Sequence, residues 1–138
     1  MNRARAAALV TWVYAAGFGG SALPVAAYLH SNGKLPSFFG MFDMFAGPWF
    51  ERLPRERFRV LLVVFPAVTA VAASSGLELW KGRKRGGALN LALLPVEAVF
   101  WTGFALPIPV VVGLARVALV LVSWKDLTPP LGSTPRAA

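Results

Sequence analysis

Glu97 and Arg116 are the two residues whose types and positions most suggest chemistry. Each lies near the middle of a long apolar stretch, where an unpaired charge costs roughly 2.5–3.5 kcal/mol on membrane-insertion scales. Counted outward from the short connection between the two stretches, their depths differ by about two residues, or about 3 Å at the helical rise. A guanidinium and a carboxylate can pair through two parallel hydrogen bonds. We therefore predict that Glu97 and Arg116 form an intramembrane polar pair.

The role of this pair has two interpretations. As a structural clamp, it would fix the rotation of two adjacent helices; as a functional site, it would contact a substrate headgroup or transfer a proton. Pro95 precedes Glu97 and leaves a carbonyl without its helical donor, and Trp101 and Thr102 follow about one turn later. This grouping makes Pro95, Trp101 and Thr102 a candidate pocket lining beside Glu97.

A second unusual feature is the aromatic segment from Phe38 to Phe50. Its aromatic residues recur at helical spacing, and Gly47-Pro48 would end a helix. The segment is too short to cross a bilayer and unusually apolar for a helix on a membrane surface. We predict a short re-entrant or interfacial helix over about residues 37–47. It would present an aromatic lip for an apolar ligand, or an anchor or subunit contact, formed by Phe38, Phe42, Phe45 and Trp49.

The sequence contains no motif for metal binding, thiol chemistry, phosphate binding or nucleophilic catalysis. The chain has no Cys and a single His, His30, so thiolate and His-based metal sites are not expected. No phosphate-binding glycine loop or nucleophile elbow is present. We expect no metal and no cofactor, and a non-enzymatic role is favoured over an enzymatic one.

The elements that must position these residues follow from composition. Of 138 residues, 57% are hydrophobic and 14% charged, whereas soluble domains carry about 25% charged residues. Four stretches approach the roughly 20 apolar residues that a membrane-spanning helix needs. We predict an all-α integral membrane protein, a four-transmembrane-helix bundle with a short extracytoplasmic helix. Its membrane domain would cover residues 1–127, with spans at about 6–29, 58–80, 88–106 and 108–124.

The basic residues predict an orientation. With four spans, eight Lys and Arg residues lie on the side of the termini and five in the opposite loop, so the positive-inside rule places both termini in the cytoplasm of a multi-pass cell-membrane protein. The net charge of +8 fits anionic lipid headgroups better than nucleic acid, which we do not expect as a partner. The expected lipid contacts are Lys81, Arg83, Lys84 and Arg85.

Two further expectations concern the chain ends. Arg3 and Arg5 followed by an apolar run and Gly20-Ser21-Ala22 leave open a cleaved signal peptide, although the run continues to Tyr28. Residues 128–138 are rich in Pro and small residues, which predicts a disordered C-terminal tail.

Three functions remain open at this point. The first is a non-enzymatic subunit or accessory protein that forms a homo-oligomer or joins a larger membrane complex. The second is a small transporter or lipid-handling protein that uses the Glu97–Arg116 polar site. The third is an intramembrane enzyme with Glu97 as acid or base.

Overall fold

The computed structural model describes residues 2–50 and 52–129, which are mostly helical. Four helices follow one another along the chain. The first is continuous, with a π-helical bulge at Ala15–Gly19, and the last continues into a 3-10 turn at Trp124–Asp126. We name them α1 (Arg3–Asn32), α2 (Arg55–Trp80), α3 (Lys84–Gly103) and α4 (Pro107–Ser123).

Local sequence explains where the helices begin and end. The Asn2 side-chain oxygen accepts the Arg5 backbone N–H at 2.9 Å, so Asn2 caps α1. Gly33 ends α1 in the left-handed region, at φ 69°, where glycine carries no steric penalty. Pro107 begins α4, because proline has no N–H to lose at the first helical position. The observed bounds differ from the predicted spans by only a few residues.

Three of these helices are long and apolar enough to cross a membrane within the described residues: Arg3–Asn32, Arg55–Trp80 and Pro107–Asp126. The predicted membrane-compatible composition is therefore confirmed for three of the four stretches. The helix α3 is not among them, because Asn90, Glu97 and a pair of glycines at 86 and 87 lower its mean hydropathy.

The predicted helix at residues 37–47 is wrong. Ser37–Phe38 pairs antiparallel with Phe42–Asp43 in a small β-hairpin. Phe39 and Gly40 occupy the left-handed region, at φ 50° and 73°, and the Met41 N–H donates to the Phe38 carbonyl at 2.9 Å. A helix would need negative φ at both positions. The turn at Gly40, together with the modest helix propensity of Phe, outweighs the helical spacing of the aromatic residues.

The start of the predicted tail is also ordered. The Thr128 N–H donates to the Gly82 carbonyl at 2.8 Å, and the Lys84 N–H donates to the Thr128 carbonyl at 2.9 Å. These bonds attach Thr128, which follows the 3-10 turn at Trp124–Asp126, to the connection between α2 and α3. The rest of the predicted tail, residues 130–138, lies outside the described residues.

The helices pack around two apolar clusters with polar side chains between them. Contacts join α1 to α2 and α4, α2 to α3, and α3 to α4. One cluster lies near the hairpin, where the ring of Phe104 meets those of Phe45, Phe50 and Phe58 at centroid distances of 5.3, 4.9 and 5.7 Å. We call this the hairpin end. The other cluster lies at the end that carries Thr128, which we call the basic end, and contains Ala4, Ala7, Ala8, Leu79, Val120 and Leu127.

Close packing of α1 against α2 depends on Gly19. A Cβ atom on Gly19 would lie 1.9 Å from Thr69 Oγ1, whereas a Cβ on Gly17 would meet no atom within 4 Å. Small residues at a contact allow the backbones of two helices to approach closely.

We expect Gly19→Ala to lower the free energy of unfolding by about 1–3 kcal/mol, because the added methyl group overpacks the contact with Thr69. The matched control, Gly17→Ala, should leave stability unchanged or slightly higher. Equilibrium unfolding of the purified protein measures both. Equal losses in the two variants would contradict this packing.

Candidate functional site

The predicted pair of Glu97 and Arg116 is present as a buried salt bridge. Arg116 Nη1 donates to Glu97 Oε1 at 3.1 Å, and Arg116 Nη2 donates to Glu97 Oε2. Both side chains are 0% exposed. The pair is thus bidentate, and each charge is neutralised by the other in the interior of the molecule. The predicted buried ion pair is confirmed.

The hairpin of α3 and α4 positions the two charges. Its connection is closed by the Leu106 N–H, which donates to the Trp101 carbonyl at 2.8 Å. Close packing of the two helices needs Gly113, where a Cβ would lie 2.2 Å from Trp101 Cη2. The tight turn and this glycine hold α4 close enough to α3 for Arg116 to face Glu97.

Tyr14 of α1 completes the surroundings of the pair. The Arg116 Cζ atom lies 4.8 Å from the centre of the Tyr14 ring, a distance typical of a cation–π contact. The Trp101 indole N–H donates to the Tyr14 hydroxyl at 2.9 Å. Tyr14 is fully buried. Three helices therefore contribute to this site, which we call the polar centre (Tyr14, Glu97, Trp101 and Arg116).

A second buried polar cluster lies toward the basic end. The Asn90 amide donates to Thr11 Oγ1 at 3.2 Å and to Ser75 Oγ at 3.0 Å. Both hydroxyls donate in turn to carbonyls of their own helices, those of Ala7 and Ala72. This cluster joins α1, α2 and α3 through side chains that are all 0% exposed. Asn90 lies deep between the packed helices, a position that the sequence alone does not reveal.

Two buried polar atoms have no hydrogen-bond partner in the described part of the chain: Arg116 Nε and Asn90 Oδ1. Both residues otherwise use their donors in the contacts above. Such atoms are costly to leave unpaired in a low-dielectric interior. They mark the two positions where the interior polar groups are incompletely satisfied.

The candidate pocket lining does not form around Glu97. Trp101 is buried, but Pro95 and Thr102 are exposed, and the Thr102 hydroxyl donates to the Ala98 and Val99 carbonyls at 2.9 and 3.1 Å. At about 100° per residue, Trp101 shares the helix face of Glu97, whereas Pro95 and Thr102 lie on the opposite side. The prediction for these two residues is wrong.

The aromatic lip is only partly exposed. Phe38 is 41% exposed and Trp49 73%, but Phe45 is 4% exposed and packs in the cluster at the hairpin end. The prediction of Phe45 as a lip residue is therefore wrong, because the hairpin turns its side chain inward. The side chain of Phe42 lies outside the described part of the structure. Phe39 and Met41, at the hairpin tip, are 84% and 69% exposed.

The basic connection between α2 and α3 is on the surface. Lys81 and Arg85 are exposed and Lys84 is half-buried. Arg83 pairs with the Glu78 carboxylate at 3.2 Å, so its charge is partly neutralised within the protein. Lipid contact by these residues stays a prediction.

Two surface grooves lie away from the polar centre. One, of about 380 Å³, runs between α1 and α2; the other, of about 270 Å³, lies between the end of α1, the hairpin and the start of α2. Neither is lined by Glu97 or Arg116.

In residues 2–50 and 52–129, no three His, Cys, Asp or Glu side chains gather where they could hold a metal ion. The chain matches no protein-family model, no curated protein and no solved structure.

Exchanging the two charges tests the pairing. We expect Glu97→Arg and Arg116→Glu each to lower the free energy of unfolding by about 3–5 kcal/mol, because each leaves buried like charges. The double exchange should recover part of that loss, since opposite charges face each other again. Unfolding in detergent measures all three variants. A double exchange no more stable than either single one would rule out direct pairing.

Removing the Tyr14 hydroxyl tests the third component of the polar centre. We expect Tyr14→Phe to lower the free energy of unfolding by about 1–3 kcal/mol, because the buried Trp101 N–H loses its acceptor. The chain's other tyrosine, Tyr28, is 39% exposed and provides the control: Tyr28→Phe should change stability by less than about 0.5 kcal/mol. Similar losses in both variants would contradict the assigned hydrogen bond.

Proposed function

We propose that this protein is a four-span membrane protein with both termini in the cytoplasm, acting as a non-enzymatic subunit or accessory protein of a membrane assembly. The polar centre serves as a structural clamp in this proposal. Interaction with other chains then takes place through the outer surface of the molecule.

The observation that carries this proposal is the buried bidentate pairing of Glu97 with Arg116. Both carboxylate oxygens accept a guanidinium N–H, and both side chains are 0% exposed. A substrate would have to break this pair to reach either charge, and breaking a buried pair costs about 3–5 kcal/mol. The arrangement therefore favours a fixed clamp over a binding or catalytic site.

The length of α3 and the positions of its two ends support the proposal that α3 also crosses the membrane. The N–H of its first residue, Lys84, donates to the Thr128 carbonyl at the basic end. Its last residue, Gly103, lies at the hairpin end, where an added Cβ would be 2.3 Å from Phe50 Cζ. Its 20 residues cover about 30 Å at the helical rise, which matches the hydrocarbon core of a bilayer. The polar residues that lower its hydropathy, Asn90 and Glu97, are turned inward. Membrane helices bury such residues in this way.

Exposed apolar side chains beyond the helices support a contact with another chain. Phe39, Met41 and Trp49 are 84%, 69% and 73% exposed and belong to the connection between α1 and α2. Exposed apolar groups gathered in one connection are a common mark of an interaction surface. A homo-oligomer or a larger complex would cover them.

A transporter or lipid-handling role is the second candidate. The unpartnered Arg116 Nε and Asn90 Oδ1 favour it, because they offer a donor and an acceptor inside the packed helices to a polar ligand or to water. An enzymatic role for Glu97 has less support, since both of its oxygens are already engaged by Arg116.

Accessible cysteines test the topology cleanly because the native chain has no Cys. We expect Met41→Cys to react with a membrane-impermeant thiol reagent added outside intact cells, and Lys81→Cys and Lys125→Cys to react only after lysis. Lys125→Cys is decisive for α3. If it reacts from outside while Lys81→Cys does not, the chain crosses three times and the four-span proposal fails.

Assembly is tested by the mass of the full-length protein in mild detergent. We expect a particle larger than the 14.8 kDa chain plus its detergent, and partial or complete dissociation when Phe39 and Trp49 are both replaced by Ser. Lys34→Ser, an exposed change at the same end, is the control and should leave the mass unchanged. A monomer before and after these substitutions would contradict the homo-oligomer.

A further inference from the structure

The larger surface groove separates α1 from α2 on their outer faces. It has a volume of about 380 Å³ and an almost entirely apolar lining. Small residues line much of the groove. Larger residues lie at the two ends of the groove: Trp12 toward the basic end of the molecule and Leu23 toward the hairpin end. These two residues are eleven positions apart, so the groove follows about 16 Å of helix. A long, narrow and apolar shape suits a hydrocarbon chain.

The groove has local causes in both helices. The π-helical bulge at Ala15–Gly19 lies along α1 at this level, and Pro66 lies inside α2 opposite it. Gly20 lines the groove, and a Cβ on it would meet no atom within 4 Å. The depression is thus kept open because its lining side chains are small.

The guanidinium group of Arg5 lies beyond the end of the groove that is closer to the basic end of the molecule. The ring centroids of Trp12 and Trp80 lie 5.5 Å apart. The Trp12 indole N–H donates to the Ala73 carbonyl at 3.0 Å. The Arg5 Cζ atom lies 5.1 Å from the centre of the Trp80 ring. Arg5 is exposed, and no carboxylate of the described residues pairs with it. Arg5, the two tryptophans and the groove therefore form one continuous surface.

We propose that this surface is a binding site for one anionic phospholipid of the cytoplasmic leaflet. One acyl chain occupies the groove, and the phosphate lies against Arg5, with Trp80 and Trp12 at the depth of the interface between headgroup and hydrocarbon. Tryptophan is enriched at that depth, and the cytoplasmic leaflet supplies anionic lipids. The inference rests on the proposed membrane placement and adds a ligand class and a site to it.

Charge favours a lipid over a second copy of the chain in this groove. Copies of a membrane protein share one orientation, so a contact of α1 with α1 would bring the two Arg5 residues to the same end. Like charges at short distance oppose such a contact. An anionic headgroup provides the opposite charge instead.

Counting retained lipids tests the site. The full-length protein is reconstituted in nanodiscs that contain phosphatidylcholine and phosphatidylglycerol, then released and measured by native mass spectrometry. We expect one phosphatidylglycerol to be retained about fivefold more strongly than phosphatidylcholine. Arg5→Gln should remove this preference, whereas Arg3→Gln, the same charge change at an exposed neighbouring position, should keep most of it.

Filling the groove tests the acyl-chain site. Gly20→Leu places a side chain in it and should reduce retention of the phospholipid about tenfold or more. Gly17→Leu is the control, because a Cβ on Gly17 also meets no atom within 4 Å but Gly17 does not line the groove. Ala70→Leu, on the α2 side, provides a second filling variant should Gly20→Leu lose its helical circular dichroism.

Several results would overturn the proposal. Equal effects of Arg5→Gln and Arg3→Gln would mean general charge attraction, and equal retention of the two lipids would mean that the site does not select an anion. Unchanged retention in both filling variants would exclude the groove. A dimer that Gly20→Leu dissociates would assign the groove to a second copy. Solubility without detergent would instead refute the proposed membrane placement itself, before any lipid is counted.

Discussion

The ion pair of Glu97 and Arg116 is the interaction on which the arrangement of the helices depends. A single charge in an apolar interior is strongly unfavourable, and a bidentate partner with good geometry compensates for much of that cost. The pair forms with Glu97 of α3 and Arg116 of α4 turned toward each other, and both side chains are fully buried. Tyr14 then extends the constraint to α1 through its ring contact with Arg116. The chemistry of one pair thereby orients three helices.

The rest of the interior follows the same division between polar and apolar groups. The Asn90 cluster joins α1, α2 and α3 by hydrogen bonds, while the two apolar clusters close the hairpin end and the basic end. Large apolar side chains such as Val13, Val63 and Val111 are instead exposed on the helix surfaces, at 69%, 53% and 67%. Polar groups inside and apolar groups outside are what a lipid environment favours. Water would favour the reverse.

Periodicity and length predict much of this structure. The apolar runs predict the helices to within a few residues, and the matching depths of Glu97 and Arg116 predict their pairing. The aromatic segment is mispredicted because its spacing fits a helix, while the left-handed backbone at Phe39 and Gly40 depends on a turn that spacing does not reveal. Tyr14 is missed as a partner because its position beside Arg116 depends on how α1 packs against α4. Pro95 and Thr102 are close to Glu97 in sequence but on the opposite helix face.

The most direct test of the central interaction is a solid-state NMR distance measurement in lipid bilayers, between the Glu97 carboxylate carbon and the arginine Nη nitrogens. We expect strong dipolar coupling at a separation that fits a bidentate hydrogen-bonded pair, and its loss in Arg116→Leu. Absence of that coupling in the bilayer-embedded native protein would contradict the clamp. The orientation of the helices that is derived from it would then have no basis.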